Sequence, residues 1–273
     1  MANMQANGIN IYYELRGKQE GTEAVVFLNG IMSTVAGWAL QVPIFEKAGC
    51  KILLHDFRGQ LMSEKPQSGY TFSAHVLDMK TLLDNLGIQK IHIISTSYGG
   101  IVGLRFALDY PDYVKSFILI DGLSQTDSRF SWIIASWREL IKLSDMVKLF
   151  RAIVPVIYSN NYLQNNEKAL RERESLLKNT PHEFMESFSA LLANAVQNTK
   201  FAAELPGIKC PLLLICGEHD QLTPVKFSRL IKAQIPHAEF VIVPECGHTT
   251  IYEKPDVINS LALGFIIKNS NLI

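Results

Sequence analysis

A short stretch rich in serine and glycine, Ser95–Gly100, constrains the fold of this chain more than any other segment. It follows the apolar run Ile91–Ile94 and precedes a run with helical spacing over residues 101–108. A strand is therefore expected to turn sharply into a helix here, because small residues allow the two backbones to approach closely. The hydroxyl of Ser97 would then stand clear of the sheet, beside the positive end of the helix dipole.

This arrangement meets the requirements of a nucleophile elbow, in which a serine is presented on a strained strand-to-helix turn. The usual pattern is G-x-S-x-G, and here Ser95 stands in the place of the first glycine while Gly99 keeps the second. Serine is small enough for that turn. Because such a turn can also be a plain structural connection, the prediction that Ser97 is a nucleophile depends on partners elsewhere in the chain.

Two later loops supply a carboxylate and an imidazole. The buried-strand pattern of residues 211–216 leads into a loop that contains Asp220, and the short strand 240–243 leads into a loop that contains His248. All three side chains thus follow the carboxyl end of a predicted strand, which is where binding and catalytic residues lie in open α/β sheets. The chain order serine, aspartate, histidine resembles that of the α/β-hydrolase family and differs from the orders of chymotrypsin and subtilisin.

The resemblance to the α/β-hydrolase family implies that Ser97 is the nucleophile, Asp220 the acid and His248 the base of a catalytic triad. Asp121, which ends an earlier strand, is an alternative acid, since some members of the family carry their acid after that strand. Asp220 is preferred because its loop matches the usual acid loop. His219 is not expected to be the base, because adjacent loop residues tend to point apart.

The first half of the chain supplies further segments that are similar to those of the family. The predicted strand 24–28 is followed by a loop in which Asn29 stands where relatives usually carry histidine. The resemblance implies an oxyanion hole formed by the backbone N–H groups of Ile31 and Tyr98. The change to Asn29 is expected to matter little, because the donors are backbone groups.

A second family segment, D-x-R-G-x-G-x-S, is recognisable around Asp56, Arg58 and Ser63, with Leu61 in place of a glycine. These three polar residues are expected to be mainly structural, since they would hold the loop beside the elbow. Five segments similar to the family follow one another in the expected order.

Composition excludes several classes of protein. The 273 residues contain 26 Lys and Arg against 26 Asp and Glu, and no basic stripe stands out, which argues against a nucleic-acid partner. No apolar run reaches the roughly 18 residues of a membrane span, and the first residues resemble no secretion signal. The four cysteines are scattered and do not have the spacing of a metal-binding motif, so free thiols in the cytoplasm are expected. No cofactor and no metal are predicted, and the oligomeric state stays open.

Alternating strand and helix patterns predict an α/β fold with a mostly parallel central sheet and helices on both faces. This is the α/β-hydrolase fold that the resemblance implies. The predicted strands lie at 8–14, 24–28, 51–56, 90–96, 115–121, 211–216 and 240–243, and helices at 72–86 and 99–109 join the early ones.

Between about Leu123 and Leu205 the strand pattern disappears, and helices are predicted at 129–143, 145–157, 166–178 and 181–196. The simplest interpretation is a helical cap of residues 123–205 inserted into a core of residues 1–122 and 206–273. The charged segment 167–178 has (i, i+4) ion pairs and is expected to be a solvated helix face. Aromatic side chains of the cap are expected to pack it onto the core, with some of them lining a pocket: Phe130, Trp132, Trp137, Phe150, Tyr158, Tyr162, Phe184 and Phe188.

These features predict a serine hydrolase that cleaves a small, apolar carboxylic ester, lactone or thioester through an acyl-enzyme. The overall resemblance is to small capped esterases and 3-oxoadipate enol-lactonases. Acyl transfer, C–C bond hydrolysis and cofactor-free perhydrolysis use the same triad and remain alternatives, as does a non-catalytic binding protein. An aspartate nucleophile, as in dehalogenases and epoxide hydrolases of this fold, is excluded by Ser97.

Overall fold

One central sheet organises the residues described by the computed structural model, which are residues 2–177 and 180–270. Its strands, in chain order, are β1 Ala2–Ala6, β2 Ile9–Gly17, β3 Glu23–Leu28, β4 Lys51–His55, β5 Lys90–Thr96, β6 Val114–Ile120, β7 Leu212–Gly217 and β8 Glu239–Val243. Their spatial order is β1-β2-β4-β3-β5-β6-β7-β8. The β1–β2 and β2–β4 pairs are antiparallel and all other pairs are parallel. The sheet is therefore mostly parallel, as the sequence predicts.

Strand β1 is absent from the sequence prediction. Its residues, Ala-Asn-Met-Gln-Ala, lack the alternation of a half-buried strand, and most are exposed. The signal that specifies it lies in the turn: Asn7 and Gly8 join β1 to β2 with φ angles of 49° and 81°. An Asn-Gly pair is the preferred two-residue hairpin connection, because both residues tolerate positive φ.

Helices cover both faces of the sheet. On β3, Val25 and Phe27 pack into a cluster with helices α1 Val42–Lys47 and α10 Pro255–Lys268, while Val26 packs on the opposite face. That opposite face is covered by α2 Phe72–Asn85, α3 Tyr98–Asp109 and α8 Val225–Gln234. Successive strand residues point to opposite faces, so the apolar runs predicted as strands are buried on both sides. The predicted helices at 72–86 and 99–109 are confirmed.

Four helices separate β6 from β7 along the chain, in place of further strands. They are α4 Ser128–Lys142, α5 Met146–Ile157, α6 Asn160–Leu176 and α7 His182–Asn198, and we call residues 123–205 the helical insertion. Helix α6 begins six residues before its predicted start at 166, where Asn166 has non-helical backbone angles and kinks the helix. The predicted end of this helix, residue 178, lies outside the described residues. The short helix α9 Thr250–Glu253 completes the fold.

Gly99 is required where α3 starts beneath β3, and its replacement is expected to destabilise the protein. A Cβ atom at Gly99 would lie 2.4 Å from the carbonyl oxygen of Leu28, a backbone atom that cannot move aside. Gly99→Ala should therefore lower the free energy of unfolding by about 1–3 kcal/mol or more, measured by denaturant titration. Gly264→Ala is the control, since no heavy atom other than its chain neighbours and its own helix backbone lies within 4 Å of its Cβ position. Equal effects at the two positions would contradict this explanation.

Candidate active site

Ser97 occupies the sharp turn between β5 and α3, where the sequence predicts an exposed nucleophile. Its backbone angles, φ 51° and ψ −118°, lie outside the regions that non-glycine residues prefer. Such a conformation costs of order 1–3 kcal/mol and persists only where the surroundings enforce it. The N–H of Ser97 donates to the carbonyl of Ile120 at 3.0 Å, which fixes the turn against β6.

The structure brings together the three side chains that the sequence nominates. The Nε2 atom of His248 lies 2.9 Å from Oγ of Ser97, and its Nδ1 atom lies 2.8 Å from Oδ2 of Asp220. Asp220 and His248 are buried, while Ser97 is half-buried. A carboxylate, an imidazole and a hydroxyl therefore form one continuous hydrogen-bonded chain.

Asp220 is fixed by its own loop. Its Oδ1 atom accepts hydrogen bonds from the N–H groups of Leu222 and Thr223, both at 2.8 Å. The hydroxyl of Thr223 lies 2.7 Å from Oδ2 of Asp220 and 3.0 Å from Nδ1 of His248. Thr223 thus touches both members of the acid–imidazole pair. Sequence reasoning missed it, because a threonine three residues after an aspartate carries no specific signal.

The loop that carries His248 is bonded to the helical insertion. The backbone N–H of His248 donates to the carbonyl of Ile157 at the end of α5, at 2.8 Å. The carboxylate of Glu253 accepts from the N–H of Gly247 and from the N–H of Ser159, each at 3.2 Å. These bonds join the imidazole loop to the point where α5 passes into α6.

The charge balance around His248 favours its protonated form. Burial alone would lower the pKa of the imidazole, but the Asp220 carboxylate opposes this by charge attraction and by a hydrogen bond, and the net pKa is raised above 6.5. Because His248 must be neutral to accept a proton from Ser97, activity should be lost as the pH falls through that raised pKa.

The pH dependence of kcat/KM should therefore show an acidic limb with its midpoint above pH 6.5, the ordinary value for histidine. The measurement is kcat/KM for a substrate that does not ionise, in constant-ionic-strength buffers from pH 5 to about 9. A midpoint clearly below 6.5 would mean that burial outweighs the carboxylate. Circular dichroism across the same range is the control for unfolding.

Asp121, the alternative acid, makes other contacts. Its carboxylate accepts hydrogen bonds from the N–H of Gly217 at 2.9 Å and from the hydroxyl of Thr250 at 2.7 Å. Burial, together with the nearby charge of Asp220, raises the pKa of Asp121 far above its ordinary value. The geometry thus favours Asp220 as the imidazole's partner. The side chain of His219 is exposed and lies 3.8 Å from Glu218, so it points away from the site.

One cluster near the site has the donor types of a metal centre. The ligand atoms of Asp121, Cys216 and Asp220 lie within 4.8 Å of one another. Both carboxylates already accept hydrogen bonds from the protein, and burial raises the pKa of the Cys216 thiol, which disfavours the thiolate that a metal needs. The residues therefore fit a hydrogen-bonded support better than a metal site.

The two predicted oxyanion donors are the backbone N–H groups of Ile31, which lines the same cavity as Ser97, and of Tyr98, the next residue in the chain. Neither donates to an acceptor among residues 2–177 and 180–270. The loop of Ile31 is held by Gln60, whose side-chain amide donates to the carbonyl of Gly30 at 2.8 Å. The departure at Asn29 is structural, since its amide donates to the carbonyl of His55 and its oxygen accepts from the indole of Trp38.

The D-x-R-G segment has the structural contacts expected of it. Arg58 forms a buried two-point ion pair with Asp78, at 2.6 and 2.7 Å. Asp56 accepts from the N–H of Val35 at 2.8 Å, and the hydroxyl of Ser63 donates to the carbonyl of Asp56 at 2.6 Å. These bonds hold the loop in place and leave its polar groups away from Ser97.

Two cavities meet at Ser97. The larger has a volume of about 110 Å³ and the smaller about 30 Å³. The larger is lined by core residues and by five residues of the insertion, Trp137, Ile153, Ile157, Tyr158 and Arg173. Of the aromatic residues proposed from the sequence, Trp137 lines both cavities, Tyr158 the larger and Phe130 the smaller, while Phe184 lines neither.

Arg173 is the lining residue that the sequence interpretation missed. It belongs to the charged segment expected to be a solvated face, and one expected ion pair of that segment, Glu167 with Arg171, is present at 3.5 Å. Arg173 itself is largely exposed, yet its guanidinium reaches the larger cavity and donates to the hydroxyl of Tyr158 at 3.2 Å. A positive charge therefore lies at the mouth of a largely apolar cavity.

Comparison with known proteins identifies the family. A family model described as the alpha/beta hydrolase fold matches residues 23–255. The chain belongs to the α/β-hydrolase family. This confirms the predicted fold class, and the eight-stranded, mostly parallel sheet agrees with it.

Similar proteins of this family are hydrolases. A 2-hydroxy-6-oxononadienedioate/2-hydroxy-6-oxononatrienedioate hydrolase from Paraburkholderia phymatum is 28% identical, and the match covers 94% of this chain and 91% of the relative. The crystal structure of MGS-M2, an α/β-hydrolase from a Medee basin deep-sea metagenome, superposes with a TM-score of 0.94 at 29% identity, covering 98% of each chain.

An enol-lactonase from Burkholderia xenovorans LB400 shares the fold of this α/β-hydrolase, with a TM-score of 0.86 at 24% identity over 97% of this chain and all of the other. The chain is accordingly a hydrolase of the α/β fold. None of the helices in its described part is both long and apolar enough to cross a membrane.

Proposed function

We propose that this α/β-hydrolase is a serine hydrolase that cleaves a small carboxylic ester, lactone or thioester through an acyl-enzyme. The observation that carries the proposal is the chain of hydrogen bonds from Asp220 through His248 to Ser97, which opens onto a cavity. A serine hydroxyl at its ordinary pKa is a weak nucleophile, and an adjacent general base activates it.

In the proposed mechanism, Oγ of Ser97 attacks the acyl carbonyl while Nε2 of His248 takes its proton. Asp220 accepts a hydrogen bond from Nδ1 of His248, which fixes the tautomer and stabilises the imidazolium. The imidazolium then protonates the leaving alcohol or thiol, and the acyl-enzyme remains. Water, deprotonated by the same histidine, hydrolyses that ester and regenerates Ser97.

The N–H groups of Ile31 and Tyr98 are proposed as the oxyanion hole. Both are without protein acceptors within the described residues, so they are free to donate to the tetrahedral intermediate. Donors placed in this way are worth about 10²–10³-fold in kcat each. The Gln60 amide, which holds the loop of Ile31, would keep this donor in place before substrate arrives.

The helical insertion, residues 123–205, is proposed as a cap subdomain over a core of residues 1–122 and 206–273. Its residues Trp137, Ile153 and Tyr158 supply one side of the larger cavity beside Ser97. A cap in this position would limit the access of bulk solvent to the site and select the substrate. The aromatic residues predicted to line the pocket thus have a role in specificity.

C–C bond hydrolysis is a second candidate, and Arg173 favours it. The Paraburkholderia phymatum relative acts, by its name, on a dicarboxylate, and a guanidinium at the cavity mouth suits a carboxylate group. Acyl transfer and perhydrolysis use the same triad with another acceptor in place of water, and no feature of the cavities favours them over hydrolysis.

A substrate panel tests these functions against one another. Purified protein is assayed with 4-nitrophenyl esters, simple lactones, acyl thioesters and a vinylogous 1,5-diketone that carries a carboxylate. The proposed function predicts turnover of uncharged esters, and intact-mass spectrometry after rapid quenching should show an acylated protein. Turnover of the diketone alone would instead support the second candidate, and Arg173→Gln should then raise its KM most.

A further inference from the structure

The two cavities beside Ser97 are chemically different. They share four lining residues: Ile31, Ser97, Trp137 and Leu222. His248 lines only the larger cavity, whereas Tyr98 lines only the smaller. The imidazole of His248, which would donate a proton, and the side chain of Tyr98, whose N–H is an oxyanion donor, thus line different cavities.

The mechanism assigns a direction to each half of an ester bound at Ser97. The leaving oxygen must receive a proton from Nε2 of His248, so the leaving group has to lie on the imidazole side, in the larger cavity. The carbonyl oxygen points to the N–H groups of Ile31 and Tyr98. The acyl chain is the remaining substituent of the carbonyl carbon, and the space left for it is the smaller cavity.

We propose that the smaller cavity is the acyl subsite and that it restricts the enzyme to short, unsubstituted acyl groups, from acetyl to butyryl. This inference rests on the proposed function. One water-sized group needs about 10–15 Å³, so a cavity of about 30 Å³ takes only a short acyl chain. The larger cavity, of about 110 Å³, takes the alcohol or thiol.

The lining of the smaller cavity excludes polar acyl groups. Apart from the hydroxyls of Ser97 and Tyr98 and the indole N–H of Trp137, its side chains are hydrocarbon, and those of Ile134, Leu192 and Ala195 are buried. A hydroxyl or carboxylate on the acyl chain would lose its hydration there and gain at most one or two partners in return. The polar side chains around Ser97, including those of Tyr158 and Arg173, line the larger cavity instead.

The smaller cavity is also rigid on its Tyr98 side. The phenol of Tyr98 accepts a hydrogen bond from the amide of Asn194 on α7, at 2.8 Å, and lies 2.8 Å from Nε2 of His75 on α2. Burial lowers the pKa of His75 to about 3, so the imidazole is neutral and can accept a hydrogen bond from the phenol. Helix α7, which also carries Leu192 and Ala195, is thereby fixed to the residue next to Ser97.

Variants of the two cavities test the assignment. Leu192→Ala enlarges the smaller cavity, Ala195→Leu fills it, and Ile153→Ala enlarges only the larger one. Each is assayed with 4-nitrophenyl esters from acetate to decanoate, and with acetates of alcohols of increasing size. Wild-type kcat/KM should fall on the order of 10-fold or more between butyrate and hexanoate.

Leu192→Ala should move this limit to longer chains, and Ala195→Leu should move it to acetate. Ile153→Ala should leave the acyl limit where it is and increase the tolerance for large alcohols. Ile134→Val is the milder second enlargement, to be used if thermal unfolding shows that Leu192→Ala is poorly folded.

A covalent readout tests the same subsite without ester turnover. In an alkanesulfonyl fluoride, Oγ of Ser97 attacks sulfur, the S–O bond forms, the S–F bond breaks, fluoride leaves and His248 takes the serine proton. The alkyl group then occupies the acyl position. Labelling of Ser97, followed by mass spectrometry, should be fast for methane- to propanesulfonyl fluoride and slow for hexanesulfonyl fluoride.

The acyl subsite would be overturned if sulfonyl fluorides of every length labelled Ser97 equally fast. It would also be overturned if the acyl limit moved in Ile153→Ala and not in Leu192→Ala. Ser97-dependent turnover with no acyl limit would leave the serine-hydrolase proposal standing and remove this one. Absence of both turnover and labelling would remove both.

Discussion

Replacement of Ser97 by alanine is expected to lower kcat for any ester substrate by about 10⁴-fold or more, with little change in stability. The hydroxyl lies 2.9 Å from Nε2 of His248, and alanine removes the atom that would form the acyl-enzyme. His248→Ala should have an effect of similar size, because the two groups act as one unit. The measurement is single-turnover and steady-state kinetics on the best substrate of the panel.

A fluorophosphonate probe should label Ser97 and no other serine, as read by peptide mass spectrometry. Ser95→Ala is the matched control, since the Ser95 hydroxyl is buried two residues away and donates to the carbonyl of Ile118 at 3.1 Å. This variant should keep its labelling and most of its turnover. Labelling of Ser95, or wild-type turnover in Ser97→Ala, would rule out the proposed nucleophile.

Asp220→Asn is expected to lower kcat by roughly 10⁴-fold while the protein stays folded. An amide nitrogen in place of Oδ2 would donate toward Nδ1 of His248 and move the imidazole proton to Nε2. In that tautomer the atom facing Ser97 carries a proton and is no longer a base. Thermal unfolding of the variant shows whether the loss of activity comes from the tautomer or from the fold.

Asp121→Asn is the comparison that distinguishes the two candidate acids. Asparagine keeps an oxygen that can accept from Gly217 or Thr250, and Asp121 itself makes no hydrogen bond to His248 in the described structure. We expect Asp121→Asn to lower kcat by about tenfold or less. Should Asp121→Asn prove the more damaging of the two, the acid would have to be assigned to the strand β6 position.

The elements that position the site could be predicted because their signals are local. A strand that is buried on both faces has the pattern of a short apolar run. The candidate catalytic residues lie in the loops that directly follow β5, β7 and β8. The parallel arrangement then brings these loops to one edge of the sheet. The proximity of Ser97, Asp220 and His248 could therefore be predicted from topology and chain order, and their hydrogen bonds agree with it.

Other features depend on packing between distant segments and leave no local pattern. The pattern of charges on α6 identifies a solvated face, but it does not show that Arg173 reaches past this face to the cavity. Likewise, which insertion aromatics face Ser97 depends on how α4 and α7 lie against each other, so Trp137 and Phe184 look alike in the sequence. The hairpin that adds β1 was detectable from Asn7-Gly8 and was missed because its strand lacks apolar alternation.

The bonds between the imidazole loop and the start of α6 limit how substrate can enter. The His248 N–H is held by Ile157, and Glu253 holds Ser159 and Gly247 together, so this end of the insertion cannot swing outward without displacing the imidazole. An opening motion has to pivot there and separate a part of the insertion that lies farther from these bonds. Grafting a foreign insertion onto this sheet would accordingly disturb the general base unless these backbone bonds were rebuilt.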